Sequence, residues 1–316
     1  MDSNTNITIK PLTYNPVEFE QIIACMKEAR GNKYYSPEFF DPDFLFGDMY
    51  DLYGAFYNET IIGIAGATTG LFQDEKSLLA ILNVRNGHTG CGVAYKLLSF
   101  IADCIRYDGK RSVKVYSVAW HVAVHKILER LGMFPTGLLL GVKDGANFTP
   151  PCSAKGSLAV YARNETVRDA GVLFTHKKIA DTVCNVYNAL GTGFELCTNK
   201  AEPGVTSIMH KYVPHDSTLY VQVMHSGRDL GTQINDLCLR YNNIPAFTMT
   251  VLLDLTDPTA IYGAEILLSE GFKFCGTDPL GRYENAIFYR GECELMELQM
   301  TEMLREFVNR AGFCTM

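Results

Sequence analysis

The run Gly87-His88-Thr89-Gly90-Cys91-Gly92 stands between an apolar stretch, 77–84, and a segment with helical periodicity, 93–107. A strand that enters a glycine-rich turn and opens a helix is suited to hold a phosphate. The first-turn amides have no intrahelical partner, and the helix dipole is positive at that end. Glycines let the backbone come close to the anion. Two known phosphate patterns do not fit. A Walker loop ends in Gly-Lys-Ser/Thr, and Cys91-Gly92-Val93 does not. A dinucleotide fingerprint runs GxGxxG, and the order here is GxxGxG.

Titratable groups lie close by in sequence: His88, Tyr116, His121 and His125. A proton acceptor for a reacting group would have to come from these or from water. The apolar strand offers none, since Leu78-Leu79-Ala80-Ile81-Leu82-Asn83-Val84 contains no acidic residue. Each group also has a plain reading. His121 and His125 are four apart, which places them on one helix face. No HExxH glutamate and no third ligand accompany them, so no metal site is expected. His121 fits a helix N-cap neighbour as well as a ligand contact, and His88 fits a solvated loop. Tyr116 alternates with Val113, Val115 and Val118, and its face is open on this pattern alone. Cys91 stands at a helix N-terminus, where a thiol is acidified, yet passive packing describes it equally. The aromatic stretch Tyr34, Tyr35, Phe39, Phe40, Phe44, Phe46 suits a second-substrate pocket or a helix packed on a sheet. Asp41 and Asp43 beside it suit a cationic amine or solvated helix caps.

The elements that must position these groups alternate along the chain. A strand is expected at 7–12. Asn15 and Pro16 open a helix to Arg30, as N-cap and first helical residue. The stretch 36–49 reads as a second helix. Strands 52–57 and 61–69 flank Asn58-Glu59-Thr60 at hairpin spacing. After strand 77–84 and the turn come helix 93–107, ended by Asp108-Gly109, strand 113–118, helix 121–131 and strands 133–142 and 157–162. The second half continues with helix 175–190, strands 207–213 and 218–224, helix 227–241, strand 246–255, helix 258–270, strands 273–277 and 286–289, and helix 292–310. "LERLGMFPTGLLLG" (128–141) and "LLSEGFKFCGTDPLG" (267–281) share a pattern of helix end, glycine, large apolar residue and strand. We read this as an internal duplication of one α+β unit.

Strand "LLAILNV", turn "GHTGCGVA", helix "YKLLSFIADCI", strand "SVKVYSV" and helix "HVAVHKILERLGM" resemble the centre of the GNAT N-acetyltransferase superfamily. There a pyrophosphate turn ends in Gly-x-Gly/Ala just before a helix. The likeness is nearer still to GNAT-like proteins found beside or fused to anti-sigma-factor kinase domains. It implies an acyl-CoA site, for acetyl-CoA or another acyl-CoA, at Leu82, Val84, Arg85, Gly87, His88, Thr89, Gly90, Cys91, Gly92, Val93 and Ala94, with His121 and His125 from the next helix. It implies direct attack of a neutral amine on the thioester, with the backbone at the end of strand 77–84 holding the oxyanion. Tyr116 and His121 are the candidate catalytic residues. Three departures stand out. Gly87 replaces the usual Arg or Gln, Leu128 replaces the Tyr that serves as acid toward the thiolate, and His121 replaces a CoA-contacting Asn.

The second half has His225-Ser226-Gly227-Arg228-Asp229-Leu230-Gly231 at the corresponding place, with its glycines too far apart for the same turn. It is expected to bind CoA poorly, and to complete the acceptor pocket or form an interface, a homodimer included. The fold class expected is α+β: tandem GNAT-like domains, 1–165 and 166–316, each a mixed, mostly antiparallel sheet flanked by helices. The length of 316 residues fits two domains. The 28 basic and 35 acidic side chains leave a net charge of −7, without the basic stripe of a nucleic-acid binder. No run of about 18 apolar residues is present for a membrane span. The start has no secretory-signal pattern. The ten cysteines include no CxxC pair, which suits small buried side chains in a reducing cytoplasm. The function expected is an acyltransferase acting on an amine of a small molecule or peptide. A non-catalytic acyl-CoA-binding regulatory protein is the alternative.

Overall fold

The structure is a computed structural model that describes residues 7–69, 78–107 and 112–312. The chain divides into two compact units, Met1–Tyr116 with Ala146–Cys152, and Ser117–Gly145 with Ser153–Met316.

The first unit holds β1 (Thr8–Pro11), α1 (Pro16–Arg30), α2 (Pro42–Leu45), β2 (Tyr50–Tyr57), β3 (Thr60–Thr68), β4 (Leu78–Val84), α3 (Val93–Tyr107) and the start of β5 (Ser112–Val118). Its strands run in spatial order β1-β2-β3-β4-β5. All neighbours are antiparallel except β4 and β5. Local chemistry sets the element starts. The Asn15 side chain accepts from the amides of Val17 and Glu18 at 2.9 and 3.3 Å and Pro16 takes the first helical position. Asn58 and Glu59 both take positive φ, 46° and 63°, as a two-residue hairpin turn between right-twisted strands requires. The core gathers Ile22, Cys25 and Met26 of α1 with Leu45, Leu52, Phe56, Ile61 and Ile64. On the other face α3 buries Val93, Leu97, Leu98, Ile101, Ala102 and Ile105. Each large apolar side chain so buried contributes roughly 1.5–3 kcal/mol. Gly63 of β3 makes room for that helix, since a Cβ there would stand 2.8 Å from Val93 Cγ1.

The second unit holds the end of β5, α4 (Val122–Arg130), β6 (Phe134–Lys143), β7 (Gly156–Asn164), β8 (Arg168–Phe174), α5 (Ala180–Ala189), β9 (Thr192–Cys197), β10 (Ser207–Val213), β11 (Thr218–His225), α6 (Leu230–Tyr241), β12 (Thr248–Asp254), α7 (Ala260–Ser269), β13 (Lys273–Asp278), β14 (Asn285–Gly291) and α8 (Glu302–Arg310). The order β7-β6-β13-β14-β12-β11-β10 is antiparallel except for β11 and β12. The chain is therefore mixed α+β, with mostly antiparallel sheet flanked by helices.

Several expectations change. The stretch 36–49 is not one helix. Pro37 and Pro42 each start a separate short turn, a 3₁₀ turn at Pro37–Phe40 and then α2, whose N-cap is Asp41. The last helix begins at Glu302 rather than 292. Residues 294–299 are extended instead: Lys155 donates its amide to Glu294 O at 2.8 Å, and Gln299 donates to Ala119 O at 2.8 Å. Helix 175–190 starts only at Ala180. The strands β8 and β9, which pair in parallel, were not expected. Ser77 and the Asp108-Gly109 helix stop lie outside the described residues.

Candidate functional site

The last pairs of β4 set up the glycine turn. Register with β3 runs Gly63↔Val84 and Ile64↔Asn83, then jumps to Gly66↔Ala80, so β4 carries one extra residue. Ile81 takes φ 54° inside that bulge, an unusual conformation for a β-branched residue. With β5 the parallel pairing is confined to Leu78↔Lys114 and Leu79↔Val115. Among the described residues the two strands pair no further toward Leu82, Asn83 and Val84.

The turn is tied to α1 at its start and free at its end. Asn86 donates its amide to Glu28 Oε1 at 2.7 Å. The Arg85 guanidinium lies 3.8 Å from Glu28 and donates to Gln21 O at 3.4 Å. Arg85 thus anchors the turn on α1 instead of reaching over the glycines. A 3₁₀ turn spans Asn86–His88, with the Thr89 hydroxyl donating to Asn86 O at 2.9 Å. Gly90 and Gly92 take φ +78° and +79°, which favours glycine at both. A Cβ added at Gly87, Gly90 or Gly92 would meet no atom of the described residues within 4 Å, neighbours apart. The amides of Val93 and Ala94 then sit in the first turn of α3, where helix geometry supplies no carbonyl. Cys91 is exposed in this turn, and His88 is half-buried with its ring 6.2 Å from that of Tyr57.

The remaining candidates divide between the units. Tyr116 is half-buried on β5, on the same side as Lys114, which is 1% exposed. Lys114 was not singled out from the sequence. A cation in the apolar alternation Val113-Lys114-Val115 is the signal that would have found it. In the second unit, His121 is the exposed N-cap of α4, its Nδ1 accepting from the Ala123 amide at 3.3 Å. The neutral ring that makes this bond carries its proton on Nε2. His125 is fully buried, with its ring centroid 5.5 Å from that of Tyr161. Burial lowers its pKa to about 4, only partly opposed by the Val118 and Gln299 carbonyls. The ring is enclosed within the second unit, with no surface of its own exposed. Leu128 is fully buried as well. Among the described residues no group of three or more His, Cys, Asp or Glu is placed to hold a metal ion, and no helix is long and apolar enough to cross a membrane.

The corresponding corner of the second unit is closed. There β11 and β12 pair in parallel over six residues, 218–223 with 248–253, without parting. The Ser226 amide donates to Thr259 Oγ1 at 2.8 Å and the Gly227 amide to Thr206 Oγ1 at 3.0 Å. The Asp229 carboxylate accepts from the Thr206 amide and hydroxyl at 3.2 and 2.6 Å. A Cβ at Gly227 would stand 2.3 Å from Thr206 N.

No family model matches the chain, and no curated protein matches it. Among solved structures, it is similar to the ribosomal-protein-S18-alanine N-acetyltransferase from Escherichia coli, at 15% identity and TM-score 0.42, over 51% of this chain and 95% of that one. It is similar to an aminoglycoside 6'-N-acetyltransferase complexed with coenzyme A, at 12% identity and TM-score 0.39, over 51% of this chain and 98% of that one. An acetyltransferase of the GNAT family from Staphylococcus aureus Mu50 aligns at 15% identity and TM-score 0.38, over 50% of this chain and all (100%) of that one. All three are acetyltransferases.

Proposed function

We propose that the first half of the chain binds an acyl-CoA at the turn 87–92 and passes its acyl group, acetyl or longer, to an amine by direct attack. The observation that carries this reading is the contrast between the two strand–turn–helix corners. At the head of α3 a Cβ at any of the three glycines would meet no atom of the described residues, neighbours apart, and helix geometry gives the first-turn amides of Val93 and Ala94 no carbonyl, as a pyrophosphate site requires. At the head of α6 the amides of Ser226 and Gly227 are taken by Thr259 and Thr206, and Asp229 adds a negative charge. In this reading the backbone at Leu82 and Val84, past the last pair of β4 with β5, faces the thioester and its developing oxyanion.

In this reading Arg85 holds the turn in place through Glu28. His121, with its proton on Nε2, is suited to donate and not to accept, so the amine proton leaves to water or to Tyr116. Transfer forms the nitrogen–carbon bond and breaks the carbon–sulfur bond, and the leaving sulfur takes up one proton in exchange for the one the nitrogen gives up.

The chain is further proposed to be two related halves, 1–165 and 166–316. The order β1 α1 β2 β3 β4 α3 β5 α4 β6 β7, leaving aside one-turn α2, returns as β8 α5 β9 β10 β11 α6 β12 α7 β13 β14. The helix ends agree in detail. Gly132 and Gly271 take φ 73° and 82°, while the Met133 and Phe272 amides return to Leu128 O and Leu267 O, both at 3.0 Å. The acceptor is an amine of a small molecule or peptide.

Calorimetric titration of the full chain with acetyl-CoA tests the cofactor. A saturable heat, lost in Gly90→Glu with the circular dichroism unchanged, supports the turn as the site. No saturable heat overturns the reading. Coenzyme A release with a panel of amines then tests transfer, and binding without release leaves an acyl-CoA-binding regulatory protein.

A further inference from the structure

A line of rings in the first unit ends on strand β4. Phe148 stacks on Tyr34 with centroids 6.0 Å apart, Tyr34 meets Tyr35 at 5.1 Å, and Tyr35 meets Phe39 at 5.1 Å. Phe39 continues to Phe44 at 5.1 Å and to Tyr50 at 5.9 Å. All six rings are only half-buried. A polar contact joins the line to β4: Asn83 Nδ2 donates to Tyr35 Oη at 2.8 Å. Asn83 is 2% exposed, and its Oδ1 has no hydrogen-bond partner. A buried carbonyl oxygen without a partner is rare, and among the described residues none supplies the donor, which leaves the oxygen able to take an N–H from a ligand.

The charges around this line matter for what it accepts. No residue of 78–84 is titratable. The cations that touch rings here are Arg30, 5.4 Å from the Tyr34 centroid, and Lys27, 5.2 Å from that of Phe40. Asp41 is engaged as the N-cap of α2, accepting from the Asp43 amide at 2.9 Å. An alkylammonium brought to Asn83 would lose its water and find a neutral amide in place of a carboxylate. An amine nitrogen attached directly to an aromatic ring is uncharged at pH 7. It offers N–H groups to a carbonyl oxygen, and it can attack a thioester with no prior removal of a proton.

We propose that the acceptor is an aromatic primary amine, its ring laid against Tyr34, Tyr35 and Phe39 and its N–H on Asn83 Oδ1. This rests on the acyl-CoA reading above. The new nitrogen–carbon bond replaces the carbon–sulfur bond of the thioester, and the nitrogen's proton ends on the coenzyme A sulfur, with no further reactant.

The test uses the full chain and two steps. Acetyl-CoA binding is first measured alone by calorimetry. Coenzyme A release is then followed at pH 7 with 4-methoxyaniline, cyclohexylamine and putrescine. We expect kcat/KM for 4-methoxyaniline to exceed that of either aliphatic amine by at least about tenfold. Asn83→Leu should raise the KM for 4-methoxyaniline without changing acetyl-CoA affinity. Asn83→Asp, which places a carboxylate there, should move the preference toward putrescine. Acetyl-CoA binding with an aliphatic preference in the unmodified chain overturns the aromatic acceptor and leaves the cofactor reading intact. If acetyl-CoA does not bind, the cofactor reading falls, and ligand-observed NMR with 4-methoxyaniline decides the ring site alone. Binding that is lost in Tyr35→Leu supports it, and no binding overturns it.

Discussion

Gly137 of β6 and Gly276 of β13 are Cα partners at the one register position where those two strands are paired. Neither has room for a side chain. A Cβ on Gly137 would stand 2.6 Å from Thr277 O, and one on Gly276 would stand 2.5 Å from Thr136 O. Gly276 also takes φ +95°. The obstacles are backbone atoms, which cannot swing aside as the tip of a flexible side chain can. Gly276→Ala is therefore expected to destabilise the second unit by about 2–3 kcal/mol. Urea denaturation measures this, and an unchanged midpoint would show that the strands separate at little cost.

The two turns predict opposite consequences for the same kind of change. At Gly90 an alanine Cβ meets no atom of the described residues within 4 Å, neighbours apart, so the cost is the positive φ alone, about 1 kcal/mol. Its effect should appear as weaker acetyl-CoA binding in calorimetry. At Gly227 an alanine runs into Thr206 N, so the loss should appear in stability with acetyl-CoA affinity unchanged. Equal effects on affinity from both would argue against the first-half turn as the site.

Two exposed thiols allow a chemical footprint. Cys91 lies in the glycine turn, whereas Cys152 is exposed elsewhere in the same unit. Alkylation followed by peptide mass spectrometry should show Cys91 slowed by acetyl-CoA and Cys152 unaffected. Equal rates at Cys91 with and without saturating acetyl-CoA would place the cofactor away from the turn.

His125 gives the second unit a dependence on pH. Its pKa falls from 6.5 to about 4 because burial disfavours the charged ring. The unfolded chain binds the proton first as pH drops, so the stabilising effect of the neutral ring is complete above 6.5 and is lost as pH falls from 6.5 toward 4. The full difference is about 3 kcal/mol. Denaturation between pH 4 and 7 should show this slope in the unmodified chain and a shallower one in His125→Leu. The same slope in both would assign it to other groups.

Short-range chemistry was legible in the residues. The Asn15-Pro16 helix start, the Asn58-Glu59 hairpin, the glycine stops at 132 and 271 and the turn 87–92 each depend on backbone angles and caps within a few positions. The aromatic stretch was legible as aromatic but not as two proline-started turns, and the line of rings that ends on Asn83 joins residues 34 and 148. Phe148 comes from a loop that no local pattern connects to Tyr34.

What only the tertiary structure decided is which groups find partners. Two strand–glycine–helix corners look alike at the level of composition. One stays open and the other is filled, because Thr206 and Thr259 arrive from distant parts of the chain to take the amides. His121 and His125 share a spacing, yet one caps a helix at the surface and the other is sealed against Tyr161. Lys155 shows the same limit. Its sequence neighbours mark a loop, but its Nζ is fully buried among the carbonyls of Asp216, Ser217 and Ala246 and the hydroxyls of Thr218 and Thr248, at 2.6–3.3 Å. A residue's type sets the bonds it can make, and its local spacing sets the angle at which it leaves the backbone. Whether a given amide, ring or ammonium is satisfied or left for a ligand depends on contacts between segments far apart in sequence, which arise only when the sheets close.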